Sequence, residues 1–386
     1  MAPDPFPLVA IRPIANAQNE WVALMVQGAA RQALDGAALQ ALFGTPDLLA
    51  AVAPLDCIVV LDSPAVLSPS LLELLPSQRV LLAVRAASLA EEGAAARLAR
   101  LQRDGWRVLL DGEAAPASAS LAVRTVARDC TAAAPVPGTL SPLFGPHLAY
   151  GIDSAARLRA CAHVGFGWFE GDYPLEQPRH EGDDGATRKR LLTLLALLAR
   201  DADSRELEGQ LKQDAALSHH LLKLVNSAAF SCGTEITSFG QAISRIGRRQ
   251  LQRWLQLLLY ARTQPEAPPN LLLPLAALRG ALLEALCKRD GGDRDAQDQA
   301  FMAGAFSLLD RLFHMPMAAL LADLHLPGHV DAALLRRDGL LGKRLALAAG
   351  TDAHKAQLEE VGIDAAGWWQ ARLTAFHWAI QVARNV

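Results

Sequence analysis

Ten histidines, five cysteines and forty acidic residues are the groups in this chain that could hold a metal or move a proton. The pair His219–His220 comes first, because neutral imidazole is a good ligand for a divalent transition metal. Neighbours on a helix point about 100° apart, so the two cannot close on one ion. His220 falls on the face of Leu217, Leu221 and Leu224, and His219 on a stripe with Leu222 and Asn226. Packed or half-exposed histidines are therefore the expectation. His325 and His329 have the spacing of a helical metal clasp, but Pro327 and Gly328 between them break the helix it would need. The other six histidines are scattered. Cys57, Cys130, Cys161, Cys232 and Cys287 are odd in number and lack a C-x-x-C pair, which fits reduced thiols and neither a disulfide framework nor a zinc site. GDDG and RDGGDRD lack the strand–loop–helix setting and the Lys or Ser of a phosphate cradle, so they read as loops. Arg245, Arg248, Arg249 and Arg253 cluster on a helix–turn–helix outline joined at Gly247. Its second helix commits Trp254 and Leu258 to packing and the chain carries a net charge of −3, so nucleic acid is not an expected partner.

Two kinds of framework must carry these groups. At 386 residues, with 51% hydrophobic and 20% charged residues, the chain is globular and too long for one ordinary core. The stretch PLEQPRHEGDDGATRKR around residues 174–190 is polar and rich in Pro and Gly, which places a linker at 179–190 between domains at 1–178 and 191–386. Before it, Leu8–Ile14, Trp21–Val26, Cys57–Leu61, Val80–Val84 and Val108–Leu110 read as strands. Leu67–Leu75, Ala87–Leu101 and Ser154–Ala162 read as helices, and the alternation predicts an α/β parallel sheet or barrel. After the linker nearly every segment has helical period, so the second half is expected to be all-α. The start MAPDPFPLVA lacks the features of a signal peptide. The longest apolar run, Leu191–Ala199, is far short of a membrane span, so a cytoplasmic protein with no membrane segment is expected.

Helix punctuation is clearest from Asp214 onward. Asp214 can cap a helix with Leu217, Leu221, Leu224 and Val225 on one face, and Ser238 with Gln241 forms a capping box. Gly247 suits the residue after that helix, where positive φ favours glycine. Leu251, Trp254, Leu255, Leu258 and Leu259 make the next apolar stripe. Asn226, near the end of the first helix, is expected to tie the backbone of the following loop through its amide.

The stretch Asp214–Gly247, DAALSHHLLKLVNSAAFSCGTEITSFGQAISRIG, resembles the core of the HDOD family. These are bacterial signalling domains descended from HD-type metal phosphohydrolases that have lost the metal-binding residues. The match runs through Leu217, Ser218, Leu221, Leu222, Val225, Asn226, Ser227, Phe230, Ile236, Ser238, Gln241, Ala242 and Ile243. The first half in turn resembles a degenerate EAL domain, the barrel of cyclic-di-GMP phosphodiesterases, and EAL followed by HDOD is a recurring bacterial arrangement. Ile11–Ile14, Trp21–Met25, Leu101–Gly112 and Gly165–Pro178 carry that resemblance over about residues 8–178. The fold implied is a degenerate TIM-like barrel followed by an all-helical HDOD domain. The span is short for a full barrel, so a helix or strand is expected to be missing around Ala114–Pro146.

What the resemblance implies about chemistry is negative. The EAL reaction needs metal ions held by carboxylates and an Asn, with a Lys and a Glu handling the attacking water. Here Ala23 or Val22 stands at the signature glutamate, Arg85 where a carboxylate is expected, Asp111 alone where two aspartates occur, and AVRT (Ala122–Thr125) lacks the Lys and Asp. Asp62, Asp111, Glu113, Asp153 and Glu170 are read as caps or solvated loop ends. In the second half the lost His-Asp pair falls at Ser307 and Leu308, with Asp310 as a helix-surface carboxylate, so an empty, largely apolar pocket is expected there. No catalytic, cofactor-binding or metal residue and no cofactor is therefore expected. The implied role is a non-catalytic signal-transduction adaptor. Cyclic-di-GMP enzymes, histidine kinases or response regulators are its implied partners. A residual metal-dependent phosphodiesterase or phosphohydrolase, or a nucleotide sensor without turnover, is the alternative.

Overall fold

A computed structural model describes residues 6–113, 124–136, 138, 140, 144–176, 185–199, 202–211, 239–261, 268–322, 324–350 and 352–385. The chain forms two compact units, Met1–Gln177 with Gly350–Leu373, and Pro178–Ala349 with Thr374–Val386.

In the first unit eight strands close a barrel in chain order. They are β1 (Val9–Asn16), β2 (Trp21–Gly28), β3 (Asp56–Leu61), β4 (Val80–Arg85), β5 (Arg107–Asp111), β6 (Thr125–Asp129), β7 (Leu148–Tyr150) and β8 (Trp168–Phe169). From β2 to β8 neighbours are parallel, as the alternation predicts. β1 departs from that expectation and runs antiparallel to both β2 and β8. Only a short turn, held by Asn16 Oδ1 accepting from the Gln18 and Glu20 amides (both 2.9 Å), joins β1 to β2. So short a connection cannot make a parallel crossover.

Alternate strand residues fill the barrel, since a strand's side chains switch face at every step. Ile14, Ala23, Met25, Ile58, Val60, Leu81, Ala83, Leu109, Ala127 and Leu148 form one buried cluster. Helices start where short polar side chains cap them: Asp35 for Gly36–Phe43, Ser68 for Pro69–Leu74 and Ser154 for Ala155–Val164. The helix expected over Ala87–Leu101 is divided into a 3₁₀ turn, Ala86–Ala90, and a helix, Ala94–Arg103, with Gly93 in left-handed backbone before the second. The strand expected to be missing is present as β6, and the barrel is complete. What is short is the connection after it, where no helix occurs among the described residues of 130–147.

Helix is the only regular secondary structure among the described residues of the second unit, as expected. Its helices include Gly185–Ala199, Phe239–Leu258, Leu272–Arg289, Arg294–Phe306, Gly328–Arg336 and Gly339–Ala349. Helix is already present from Gly185, inside the stretch expected as linker. Gly247 takes φ 77° and ψ 159° and kinks Phe239–Leu258 into two segments at the junction read from sequence. Residues 212–238 lie outside the described set, and with them the expectations for Asp214, His219, His220, Asn226 and Ser238.

The expectation of 191–386 as one helical domain does not anticipate Gly350–Leu373 grouping with the barrel unit. Two contacts within that unit account for it. Arg12 pairs with Asp352 at 2.9 Å, and Arg372, buried, donates to the Val9 and Ile11 carbonyls at 3.1 and 2.9 Å. The Arg12–Asp352 pair spans 340 residues, and no local period reveals such a tie. Among the described residues no helix is long and apolar enough to cross a membrane.

Candidate functional site at the carboxyl end of the barrel

Parallel strands of a barrel bring their last residues to one rim, where barrel enzymes place their chemistry. Here that rim gathers Arg85 from β4, Asp111 from β5, Asp129 from β6 and Tyr150 from β7, with Gln27 from β2 and Arg31 from the turn after it. They line a cavity of about 210 Å³ whose floor is Met25, Val60, Ala83 and Leu148 of the barrel core.

The turn that delivers Arg31 is unusual. Ala30 and Arg31 have φ of 51° and 60°, a left-handed conformation uncommon for side chains with a Cβ. It sets the Arg31 guanidinium over the Tyr150 ring, 5.0 Å from its centroid, and its Nη2 2.8 Å from Glu170 Oε2. Glu170 is the buried centre of this network. It also takes Arg12 Nη1 at 3.3 Å and the Gly151 amide at 3.1 Å.

Across the cavity the Tyr150 hydroxyl donates to Asp111 Oδ1 at 2.9 Å. Burial raises the Asp111 carboxyl above its ordinary range, against the Tyr150 hydrogen bond and the charges of Arg85 and Arg128. Burial and the neighbouring Asp111 likewise push the Tyr150 phenol up, so it stays a donor at any ordinary pH. Arg85 pairs with Asp62 at 2.9 Å and donates to the Arg31 carbonyl at 2.9 Å. Arg128 donates to the Gly112 carbonyl. Asp129 accepts from the Thr131 amide and hydroxyl at 2.9 and 2.6 Å. Gln27 lines the cavity, and its side-chain Nε2 is buried without a protein partner.

These groups do not fit a catalytic metal pair. Such a site needs several carboxylates converging on each ion. No cluster of three or more His, Cys, Asp or Glu suited to a metal occurs among the described residues. Asp111 is committed to Tyr150, and Asp111 and Asp129 share the rim with the guanidinium groups of Arg31, Arg85 and Arg128, which repel a divalent cation. What the arrangement can do is hold a small polar or anionic group.

The acidic residues read from sequence divide accordingly. Asp62, Glu113 and Asp153 are exposed, with Asp62 paired to Arg85 and Asp153 accepting from Ser154 at 2.9 Å. For Glu170 and Asp111 the expectation of caps or solvated loop ends fails, because one is the buried centre of an ion network and the other a half-buried acceptor. Sequence reasoning missed Arg12, Arg31, Asp129 and Tyr150. Asp129 and Tyr150 are the last residues of β6 and β7, strands that local periodicity does not reveal.

Asp111 gives a pH test. Unfolding returns its carboxyl to the ordinary range, so between that range and the raised native value the folded chain binds more protons, and this group's contribution falls as pH rises. Asp111→Asn, which keeps an acceptor for Tyr150, should raise the melting temperature at neutral pH. The gain should vanish once the pH drops below the ordinary carboxylate range. An equal gain at both pH values would reject the assignment.

In the second unit Ser307 and Leu308 are buried. The expected empty, apolar pocket is corrected by Arg279, a buried residue whose Nη1 lies 3.1 Å from Ser307 Oγ, which itself donates to the Gly304 carbonyl at 2.8 Å. A guanidinium there opposes a divalent ion on charge alone. Asp310 is half-buried beside Arg311 at 3.7 Å. Two arginines of the helix–turn–helix outline are committed within the unit. Arg249 pairs with Asp295 and, at 2.7 Å, with Asp298, while Arg253 pairs with Glu284 and Asp298 at 2.5 and 2.7 Å and lies over the Phe301 ring.

The HDOD domain family matches residues 188–323. Those residues are an HDOD domain. The chain thus carries a closed eight-stranded barrel followed by an HDOD domain, the order of folds that the resemblance implies. Among curated proteins it is similar to the cyclic di-GMP phosphodiesterase CdgJ of Vibrio cholerae, 25% identical over 247 residues, 62% of this chain and 56% of that one. It is also similar to YuxH of Bacillus subtilis, 25% identical over 193 residues, 49% of this chain and 46% of that one. The chain spans about half the length of the curated relatives it matches. Among solved structures it resembles the EAL domain of Mycobacterium smegmatis DcpA (17% identity, 42% of this chain and 89% of that one, TM-score 0.35). It also resembles a putative phosphohydrolase from Shewanella amazonensis (15% identity, 54% and 94%, TM-score 0.36).

Proposed function

We propose that this protein is a non-catalytic bacterial signal-transduction adaptor that works through protein–protein contacts in cyclic-di-GMP or two-component signalling. The supporting observation is the rim of the barrel, where Arg31, Arg85 and Arg128 surround the Asp111–Tyr150 pair in place of a carboxylate set able to hold metal. Arg279 against Ser307 supports the same reading for the HDOD domain. A fold that keeps its hydrophobic core while its sites fill with committed ion pairs serves by shape and surface. The partners proposed are cyclic-di-GMP enzymes, histidine kinases or response regulators. The relative named a cyclic di-GMP phosphodiesterase supports the pathway.

The test is turnover and metal content together. Purified protein supplied with Mg²⁺ or Mn²⁺ should leave cyclic-di-GMP and generic phosphoesters intact, and should carry no stoichiometric iron, manganese or magnesium within residues 185–386. Turnover or such a bound ion refutes the adaptor reading. Affinity capture from the source bacterium, identified by mass spectrometry, should return signalling proteins. A second reading, a nucleotide sensor without turnover, draws support from the unpartnered Gln27 amide at the cavity. Saturable calorimetric binding of cyclic-di-GMP that Gln27→Leu abolishes selects it.

A further inference from the structure

The barrel has a second cavity at the opposite end from the rim described above. It opens where β4, β5 and β6 begin and is bounded by Leu81, Arg107 and Thr125, with Gly145 and Pro146 ahead of β7. Its volume is about 790 Å³, within the range of small-molecule sites and larger than the carboxyl-end cavity. Barrel enzymes keep their chemistry at the carboxyl end, so a cavity of this size at the amino end is not explained by the fold's usual use.

Its lining is chemically one-sided. Two half-buried indoles, Trp106 and Trp168, supply flat apolar faces, and Leu81 and Leu109 of the barrel core close the floor. Arg103, Arg107 and Arg124 also line it, with no carboxylate among the described lining residues. Arg107 is anchored by Asp56 at 2.8 Å through both Nη atoms, which leaves its buried Nε without a partner. Among the described residues Arg103 has no ion pair, and Arg124 lies over the Phe144 ring at 5.8 Å. Ring faces beside uncommitted guanidinium groups recognise one class of molecule. Indoles stack on a planar heteroaromatic ring, and guanidinium forks bind phosphate in bidentate fashion.

We propose that the amino end of the barrel binds an aromatic phosphate of nucleotide size, at a site separate from the carboxyl-end rim. The ring lies against Trp106 or Trp168 and the phosphate meets Arg103 and Arg124. Such a site gives the adaptor a small-molecule input that uses none of the rim residues.

The full chain should be titrated calorimetrically with GMP as the probe. Guanosine, which lacks the phosphate, and ribose 5-phosphate, which lacks the ring, serve as controls. GMP should bind saturably, and each control should bind about tenfold or more weakly. The double variant Arg103→Gln/Arg124→Gln changes only exposed side chains, so it should keep the melting temperature while weakening GMP by about tenfold or more. Arg85→Gln, at the other end, should leave GMP affinity unchanged. The proposal is overturned by absence of saturable GMP binding at millimolar concentration, by undiminished affinity in the double variant, or by loss of binding in Arg85→Gln.

Discussion

Glu170→Ala will destabilise the barrel unit by about 3–5 kcal/mol, the usual cost of removing one member of a buried ion pair. Glu170 has a side chain only 3% exposed and is shared by Arg12 and Arg31 at 3.3 and 2.8 Å. Truncation leaves Arg12, itself 9% exposed, with Asp352 as its remaining carboxylate, and strips the Gly151 amide of its acceptor. Glu170→Gln keeps an acceptor for Gly151 and one guanidinium, so its loss should be clearly smaller. Asp352→Ala should also cost less, because that carboxylate is 22% exposed. Urea unfolding followed by a probe in the barrel unit checks the order, since a two-unit chain does not guarantee a single transition. A Glu170→Ala midpoint equal to that of the parent chain rules out a stabilising role for the network.

Gly304→Ala will destabilise the HDOD-containing unit by about 1–3 kcal/mol or more, through overpacking against backbone that cannot yield. Helices Leu272–Arg289 and Arg294–Phe306 cross so closely that a Cβ at Gly304 would lie 2.4 Å from the Arg279 carbonyl oxygen and 2.5 Å from the Gly280 nitrogen. Side chains can rotate away from such a clash, but helix backbone cannot. Separation of the helices would also disturb the Arg279–Ser307 hydrogen bond at 3.1 Å. Gly209→Ala is the matched control. It lies in the helix Ser204–Leu211 with nothing within 4 Å of the added methyl, so helix propensity should stabilise that variant by up to about 1 kcal/mol. Equal melting temperatures for the two variants would refute the close crossing.

Much of the framework was legible because it depends on local periodicity. Continuous apolar runs at Cys57–Leu61 and Val80–Val84 announced buried strands, and β3 and β4 lie there. Gly247 announced a break between helical stripes, and the chain kinks there. β7 and β8, with three and two residues, are too short to show a period. β6, TVARD, went unread because it alternates little and ends in charge.

The site was less legible. Arg85 and Asp111 were readable as strand-end residues. Tyr150 and Asp129 were not, because the strands that end in them were themselves unreadable. Arg31 could not, because its position comes from a left-handed turn after β2 with no sequence punctuation. Arg12 and Glu170 are 158 residues apart and meet only because β1 pairs with β8 to close the barrel. Residue types and local spacing determined that this chain is an α/β parallel sheet or barrel followed by helices. Tertiary structure alone decided that Glu170 is buried among arginines, that Arg279 occupies the place beside Ser307, and that Gly350–Leu373 belongs with the barrel. The physical reason is range. Periodicity and capping act over a few residues, whereas burial and ion pairing arise only when distant segments are brought together.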